Sequence, residues 1–377
     1  MTVRVPFTDL GATQRRRQSE ISLAVSRVVQ SGWYIGGPEV AAFERAFAAA
    51  AGLPFAVGVA NGTDAIALAL RALGIKRDDV VIVPALSAYP TTVGVRQAEA
   101  IPAFVDVDRH GLIDVGEVER LLSSGARAIL CVHLYGNCAD FTALAELARR
   151  HQVALVEDCA QAHGASRDGI AAGAAGDIAA WSFYPTKNLG ALGDAGAVTC
   201  GDQATAERLS RLRNYGQQNR YEHVESGFNS RLDPLQAAVL SVKLQDLEAD
   251  NTRRRAIGLH YDQALAGNET VVPVPVPARS DPNRHLYPVL LPSASDRARF
   301  QAFLSERGIE TLIHYPIAMP DQKASDPAWS GNRNFPHARS FCQRVVSLPC
   351  NPDLTDAQVE MVIGAIQAWS QQGQGVT

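Results

Sequence analysis

The sequence of 377 residues predicts an α/β fold, a layered domain built on a mostly parallel sheet and followed by a smaller carboxy-terminal lobe. Three observations carry that expectation. Short apolar runs alternate with longer helical patterns through the first two thirds of the chain. The runs are apolar on successive residues, which suits strands covered on both faces. After about Leu247 the texture changes to a long helical stretch, a Pro-rich connector and shorter elements.

The predicted strands are VVIV (80–83), IPAFVDV (101–107), AILCVHL (128–134), VALVEDC (153–159) and IAAWSF (178–183). Helices are expected at 63–73, after Pro90, at 115–123 and at 140–151. One helical stretch covers 232–266, the connector is VVPVPVPARSDP, and a last helix lies near 355–371. This divides the chain into a large part, 1–247, and a smaller part, 248–377, with the amino-terminal segment free to pack on the latter. The tail QQGQGVT reads as disordered.

Apolar residues at 46% and charged residues at 20% are ordinary for a globular protein of this length. A net charge of −4 argues against nucleic acid as a partner, and the runs Arg15–Arg17 and Arg253–Arg255 read as solvated helix faces. The start MTVRVPFTDLGATQRRRQ lacks a signal core, and no stretch is apolar enough to span a bilayer. Cys131, Cys138, Cys159, Cys200, Cys342 and Cys350 are widely spaced without a CxxC pair. They read as buried thiols in a reducing cytoplasm, with neither disulfides nor a metal site.

Three stretches carry chemistry. In ANGTDAIALALRALGI (60–75), Asn61, Gly62 and Thr63 precede a helix. Its free N–H groups form either an anion cup for phosphate or a plain start capped by Thr63 or Asp64. In VALVEDCAQAHGA (153–165) a buried strand ends on Asp158, with Gln161 three residues on. That carboxylate either holds a heterocyclic N–H⁺ at a strand end or caps the next turn. In WSFYPTKNLGALGDAGAV (181–198), Lys187 sits among aromatic residues, a proline and glycines. A desolvated lysine loses its ammonium more readily and becomes a nucleophile that forms Schiff bases, notably with pyridoxal phosphate. Gly190, Gly193 and Gly196 do not make a dinucleotide finger, because they do not open a helix after a strand. A phosphate cup, a strand-end carboxylate and a buried lysine, in this order, are what a pyridoxal phosphate site requires.

NGTDAIALAL, VEDCAQAHGA, SFYPTKNLGALGDAGAV and GFNSRLDPLQAAVLSVKL resemble the signatures of the DegT/DnrJ/EryC1/StrS sugar aminotransferases, from SGWYIGGPEVAAFE (31–44) to IHYPI (313–317). The resemblance implies a fold-type I enzyme, three-layered in its large domain, working as a homodimer with shared active sites. It implies Lys187 as the Schiff-base lysine, Asp158 on the pyridine nitrogen and Gln161 on the ring hydroxyl. Gly62, Thr63, Asp64 and Ser182 would hold the phosphate, joined by Asn229 from the second subunit, and Tyr89 would stack on the ring. Relatives that dehydrate sugars carry histidine at the lysine position, so Lys187 implies amino transfer, with L-glutamate as donor and 2-oxoglutarate as its product. LRNYGQQNRYEHVESGFNSRLD and TLIHYPI look closest to the branch that aminates C3 of nucleotide-linked (dTDP) 3-keto-6-deoxyhexoses, for surface polysaccharide or natural-product glycosylation. Tyr184, Arg220, His314 and Tyr315 would then contact the nucleotide sugar. The branch continues HYPIPPHxQ where this chain has HYPIAMPDQ. A 4-keto sugar or a cyclitol ketone is the alternative acceptor, and a non-catalytic cofactor-binding sensor the alternative class.

Overall fold

A seven-stranded sheet forms the centre of the computed structural model, which describes residues 4–374. Three helices lead into it: α1 (Leu10–Arg16), α2 (Gln18–Ser31) and α3 (Pro38–Ala50). Next come β1 (Phe55–Val59), α4 (Gly62–Ala72), β2 (Val80–Pro84), α5 (Pro90–Gln97) and β3 (Ile101–Val105). They are followed by α6 (Val115–Leu122), β4 (Ala128–Val132), α7 (Phe141–His151) and β5 (Ala154–Asp158). A short hairpin, β6 (Ser166–Arg167) and β7 (Ile170–Ala171), precedes β8 (Ile178–Ser182), β9 (Gly196–Cys200) and α8 (Gln203–Leu212).

The strand order is β1-β9-β8-β5-β4-β2-β3. Pairs from β3 through β8 are parallel, and β9 runs opposite to both its neighbours. The five predicted strands are present, the first extended to Pro84 and the other four with trimmed ends. The pair β1 and β9 lies outside the predicted set, because FAVGV and GAVTC are short and interrupted or opened by glycine. Gly58 in β1 is needed for space: a Cβ there would lie 2.8 Å from the Leu232 side chain.

Helices cover both faces, which is why the strands are apolar throughout. Ile66, Leu68 and Leu70 of α4 and Leu209 of α8 pack on one face with Val57, Val83 and Leu130. On the other, Leu144 and Leu147 of α7 meet Ile82 and Ile129. Beside them Phe43 and Phe47 of α3 meet Trp181 and Phe183.

After the hairpin β10 (Gln217–Asn219) and β11 (Glu222–His223), the long helical stretch is broken. It forms α9 (Pro234–Lys243), a 3₁₀ turn (Leu244–Asp246) and α10 (Leu247–Ala264). The remaining elements are β12 (Val272–Pro273), β13 (Ser280–Asp281), β14 (Tyr287–Leu290), α11 (Ala294–Ser305), α12 (Pro336–Arg344), β15 (Val345–Leu348) and α13 (Asp356–Gln374). Ile257, Tyr261, Phe300, Leu304, Val346 and Val362 share one core, which Val5 joins through a bridge to Ile309. The sequence tail is helical as far as Gln374, and 375–377 lie outside the described residues.

The arginine runs are not simply solvated. Arg16 pairs with Asp250 and Asp353, and Arg17 with Asp246, fastening α1 and its flank to α10 and its neighbours. Arg254 is buried and donates to the Cys350 carbonyl at 2.6 Å. Partners far along the chain, invisible in a charge run, account for the difference. All six cysteines are free and buried.

Candidate active site

Asp158 ends β5, Ser182 ends β8, and α4 starts just past the end of β1. Strand ends of an open α/β sheet are where ligands gather. The α4 start is capped by Asn61, in extended backbone, whose Oδ1 accepts from the Asp64 N–H at 2.8 Å. The cap is therefore neither Thr63 nor Asp64, and the Asp64 N–H is already engaged. Gly62 and Thr63, at the first turn, keep N–H groups with no intrahelical acceptor. A Cβ at Gly62 would stand 2.6 Å from Ser182 Cβ, so only glycine lets this cup close against Ser182.

Cup, strand ends and lysine open on one cavity of about 560 Å³, walled by Gly62, Thr63, Asp64, Asp158, Ser182, Tyr184 and Lys187, with Ile66 and Val93 as apolar lining. Lys187 follows Tyr184-Pro185-Thr186, and its N–H donates to the Tyr184 carbonyl at 2.8 Å. Desolvation lowers its ammonium pKa to about 8, against the opposing pull of Asp158. Burial raises the Asp158 pKa, countered by the Ala160 N–H at 3.1 Å, Thr91 Oγ1 at 3.0 Å and the charge of Lys187.

Gln161 is oriented from two sides. Its Oε1 accepts from the Tyr135 N–H at 2.6 Å, and its Nε2 donates to Tyr315 Oη at 3.0 Å. Tyr135 is fully buried in left-handed backbone (φ 65°), and its hydroxyl donates to the His314 carbonyl at 2.6 Å. His314 itself lies against Phe7, with Nδ1 2.9 Å from Ser347 Oγ, and desolvation lowers its pKa to about 4. Tyr89 precedes α5 beside the cavity, with its hydroxyl 3.3 Å from Ser325 Oγ. Tyr89, Gln161, Arg220, Asn229, His314 and Tyr315 are not among the residues that line the cavity. Arg220 lies in the β10–β11 turn over the Tyr221 ring, and Asn229 bridges Asn214.

Sequence reasoning missed Thr91, Tyr135 and the pair His133–Glu157. His133 Nε2 stands 2.8 Å from Glu157 Oε2, both fully buried at the ends of β4 and β5. Burial opposes ionisation of Glu157, but His133 and the N–H groups of Gly176 and Gly173 outweigh it, so its pKa is lowered. His133 Nδ1 accepts from the Ala139 N–H. Cys159 completes a cluster of potential metal ligands, but Glu157 and His133 already have their donors and acceptors engaged. Glu157 was legible as the neighbour of Asp158; the others carry no local signal.

An anion cup, a buried carboxylate and a lysine of lowered pKa, all at sheet ends around one cavity, define a pyridoxal-phosphate-binding enzyme of the α/β type. The chain belongs to the DegT/DnrJ/EryC1/StrS aminotransferase family, which it matches over residues 15–367. It is 44% identical over 98% of its length to dTDP-3-amino-3,4,6-trideoxy-alpha-D-glucose transaminase of Streptomyces venezuelae, covering 97% of that protein. The structure of S. venezuelae DesV in complex with a ketimine intermediate superposes with a TM-score of 0.94 at 43% identity, covering 98% of this chain and 99% of the other. NtdA from Bacillus subtilis, solved with bound pyridoxamine phosphate, aligns at 0.90 with 26% identity, over 98% of this chain and 86% of that one. The cofactor is pyridoxal phosphate or its amine form. The residues present fit it: cup for phosphate, Asp158 for ring nitrogen, lysine for aldehyde.

Proposed function

We propose that the protein transfers the amino group of L-glutamate to C3 of a dTDP-linked keto-6-deoxyhexose, making an amino sugar for surface polysaccharide or a glycosylated natural product. The observation that carries this reading is the single cavity shared by the α4 start, Ser182, Asp158 and Lys187. The 3-amino assignment is supported by the likeness to the S. venezuelae sugar transaminase.

When bound, pyridoxal phosphate supplies an electron sink for the loss of an amino acid's α-proton. Ser182 and the Gly62 and Thr63 N–H groups would hold its phosphate. Asp158 would keep the ring nitrogen protonated, and the second Nε2 hydrogen of Gln161, the first being donated to Tyr315, would serve the ring hydroxyl. With a pKa of about 8, Lys187 is partly unprotonated near neutrality and takes and returns the α-proton. Tyr89, beside the cavity, would stack on the ring. Tyr315 would close the side next to Gln161 and half-exposed Tyr184 would face the nucleotide, while the His314 ring lines a neighbouring pocket with Phe7 and His285.

Two copies share each site: Asn229 reaches the phosphate and Arg220 the diphosphate of the other chain's cavity. The exposed apolar residues Trp33, Tyr34 and Ile35 support this. The large part ends at 247, where the 3₁₀ turn Leu244–Asp246 breaks the helix. Six free buried thiols support a cytoplasmic setting, and no helix among the described residues is long and apolar enough to cross a membrane.

The test is 2-oxoglutarate release from glutamate with 3-keto and 4-keto dTDP sugars and a free cyclitol ketone side by side. The 3-keto sugar should be preferred. HYPIAMPDQ departs from the HYPIPPHxQ of the 3-keto branch, so a 4-keto sugar or a cyclitol ketone is the second reading. Preference for the free cyclitol, or sustained turnover by Lys187→Ala, would overturn the proposal.

A further inference from the structure

Asp158 is held by more than the strand it ends. Thr91, in the first turn of α5, donates from Oγ1 to Asp158 Oδ2 at 3.0 Å. Ser87 Oγ lies 2.9 Å behind Thr91 Oγ1. Since the only hydroxyl proton of Thr91 goes to the carboxylate, Ser87 is the donor in the second contact. Both hydroxyls are buried, Thr91 to 1% exposure and Ser87 to 4%. The other carboxylate oxygen, Oδ1, accepts the Ala160 N–H at 3.1 Å. Neither hydroxyl comes from the segment that carries Asp158: Ser87 lies on the connection from β2 to α5, and Thr91 in α5 itself.

We propose that Ser87 and Thr91 form a two-hydroxyl relay that keeps Asp158 ionised and aimed at the cofactor's ring nitrogen, which makes Thr91 a positioning residue for the reaction. The proposal rests on the reading that Asp158 faces that nitrogen.

A buried carboxylate tends to take up a proton, and a protonated Asp158 is no counter-ion for a ring N–H⁺. A donor aimed at the carboxylate favours its charged form. Thr91 alone could rotate its proton elsewhere. Ser87, by occupying an acceptor site of the Thr91 oxygen, leaves that proton one direction and polarises the pair. The groups around Asp158 include Lys187 beyond β8, His133 at the end of β4, Tyr315, and the thiols of Cys131 and Cys159. Lys187 helps only while its amine is free and protonated. The relay is neutral and unchanging, so it acts with the cofactor bound or absent.

The experiment titrates cofactor-free protein with pyridoxal phosphate, followed by tryptophan fluorescence, between about pH 5.5 and 8.5. Thr91→Val should weaken binding roughly tenfold to hundredfold, the range for a hydrogen bond to a charged group. The loss should be greatest at acid pH, because a raised Asp158 pKa leaves more of it protonated there. Thr91→Ser should restore binding to within about threefold, and Ser87→Ala should fall between. Thermal unfolding of each variant reads folding separately. Wild-type affinity and pH profile in Thr91→Val would overturn the proposal. So would a loss that does not change with pH and is not restored by serine, since that marks packing alone. If Thr91→Val does not fold, Ser87→Ala decides: a loss confined to acid pH supports the relay, and none overturns it. Asp158→Asn separates the two readings. If it leaves cofactor affinity unchanged, the assignment of Asp158 to the ring nitrogen falls, and the relay with it. If it weakens binding while Thr91→Val does not, only the relay falls.

Discussion

Lys187 and Asp158 share one cavity wall, and burial pushes both toward their neutral forms. Each charge counters the other's shift. In cofactor-free protein, labelling of Lys187 by an amine-specific reagent should therefore titrate near pH 8, read by mass spectrometry of its peptide. Asp158→Asn removes the charge that raises the lysine pKa, so the midpoint should fall further. Two histidines make a prediction about stability. His163 sits among Phe47, Trp181 and Phe183, and desolvation lowers its pKa to about 3; His285 is also held well below its ordinary value, again chiefly by desolvation. Below the unfolded pKa of about 6.5 the unfolded chain binds protons that the folded one refuses. Stability should thus fall as pH drops below that value, with each histidine contributing about 1.4 kcal/mol per pH unit. His163→Phe should flatten the slope of unfolding free energy against pH by about one proton, measured by urea unfolding between about pH 5 and 6.

At the scale of elements, the start of α4 combines two separable devices. Asn61 caps the helix through the Asp64 N–H, so Asn61→Ala should cost about 1 kcal/mol, seen as a lower urea midpoint. Gly62 instead sets the distance to Ser182. Gly62→Ala forces a Cβ against Ser182 Cβ and opens the cup. It should weaken pyridoxal phosphate binding at least about tenfold, yet leave the much weaker binding of unphosphorylated pyridoxal unchanged. The helix start was legible as a cup because Asn-Gly-Thr precedes an Ala/Leu-rich body. Which N–H groups remain free was not, since the cap belongs to Asn61. The break of the 232–266 stretch was equally hidden: Leu244 and Gln245 are helix formers, and the 3₁₀ turn there carries Asp246 onto Arg17.

Across the whole molecule, the exposed apolar residues Trp33, Tyr34, Ile35, Leu23 and Val29 cluster on and after α2, where a second copy would cover them. Light scattering should give twice the chain mass. A mixture of Lys187→Ala and Asn229→Ala dimers, each weakly active or inactive, should recover activity on subunit exchange. In the mixed dimer one site keeps both Lys187 and the other chain's Asn229. No recovery, with exchange verified by native mass spectrometry, would mean that each chain completes its own site.

What the sequence determined by itself was what contiguous residues can carry. Strand-length apolar runs set the layered α/β class, and a lysine surrounded by aromatic residues and glycines marked the candidate reactive amine. Asp158 was legible because it ends such a run. Only the tertiary structure decided how those groups are held. Thr91 meets Asp158 across 67 positions, His133 meets Glu157 across 24, and Arg254 meets Cys350 across 96. A buried polar group must find a partner, so chemistry dictates that one exists. Which residue provides it depends on where the chain returns, and that follows from packing the sheet, not from any local pattern.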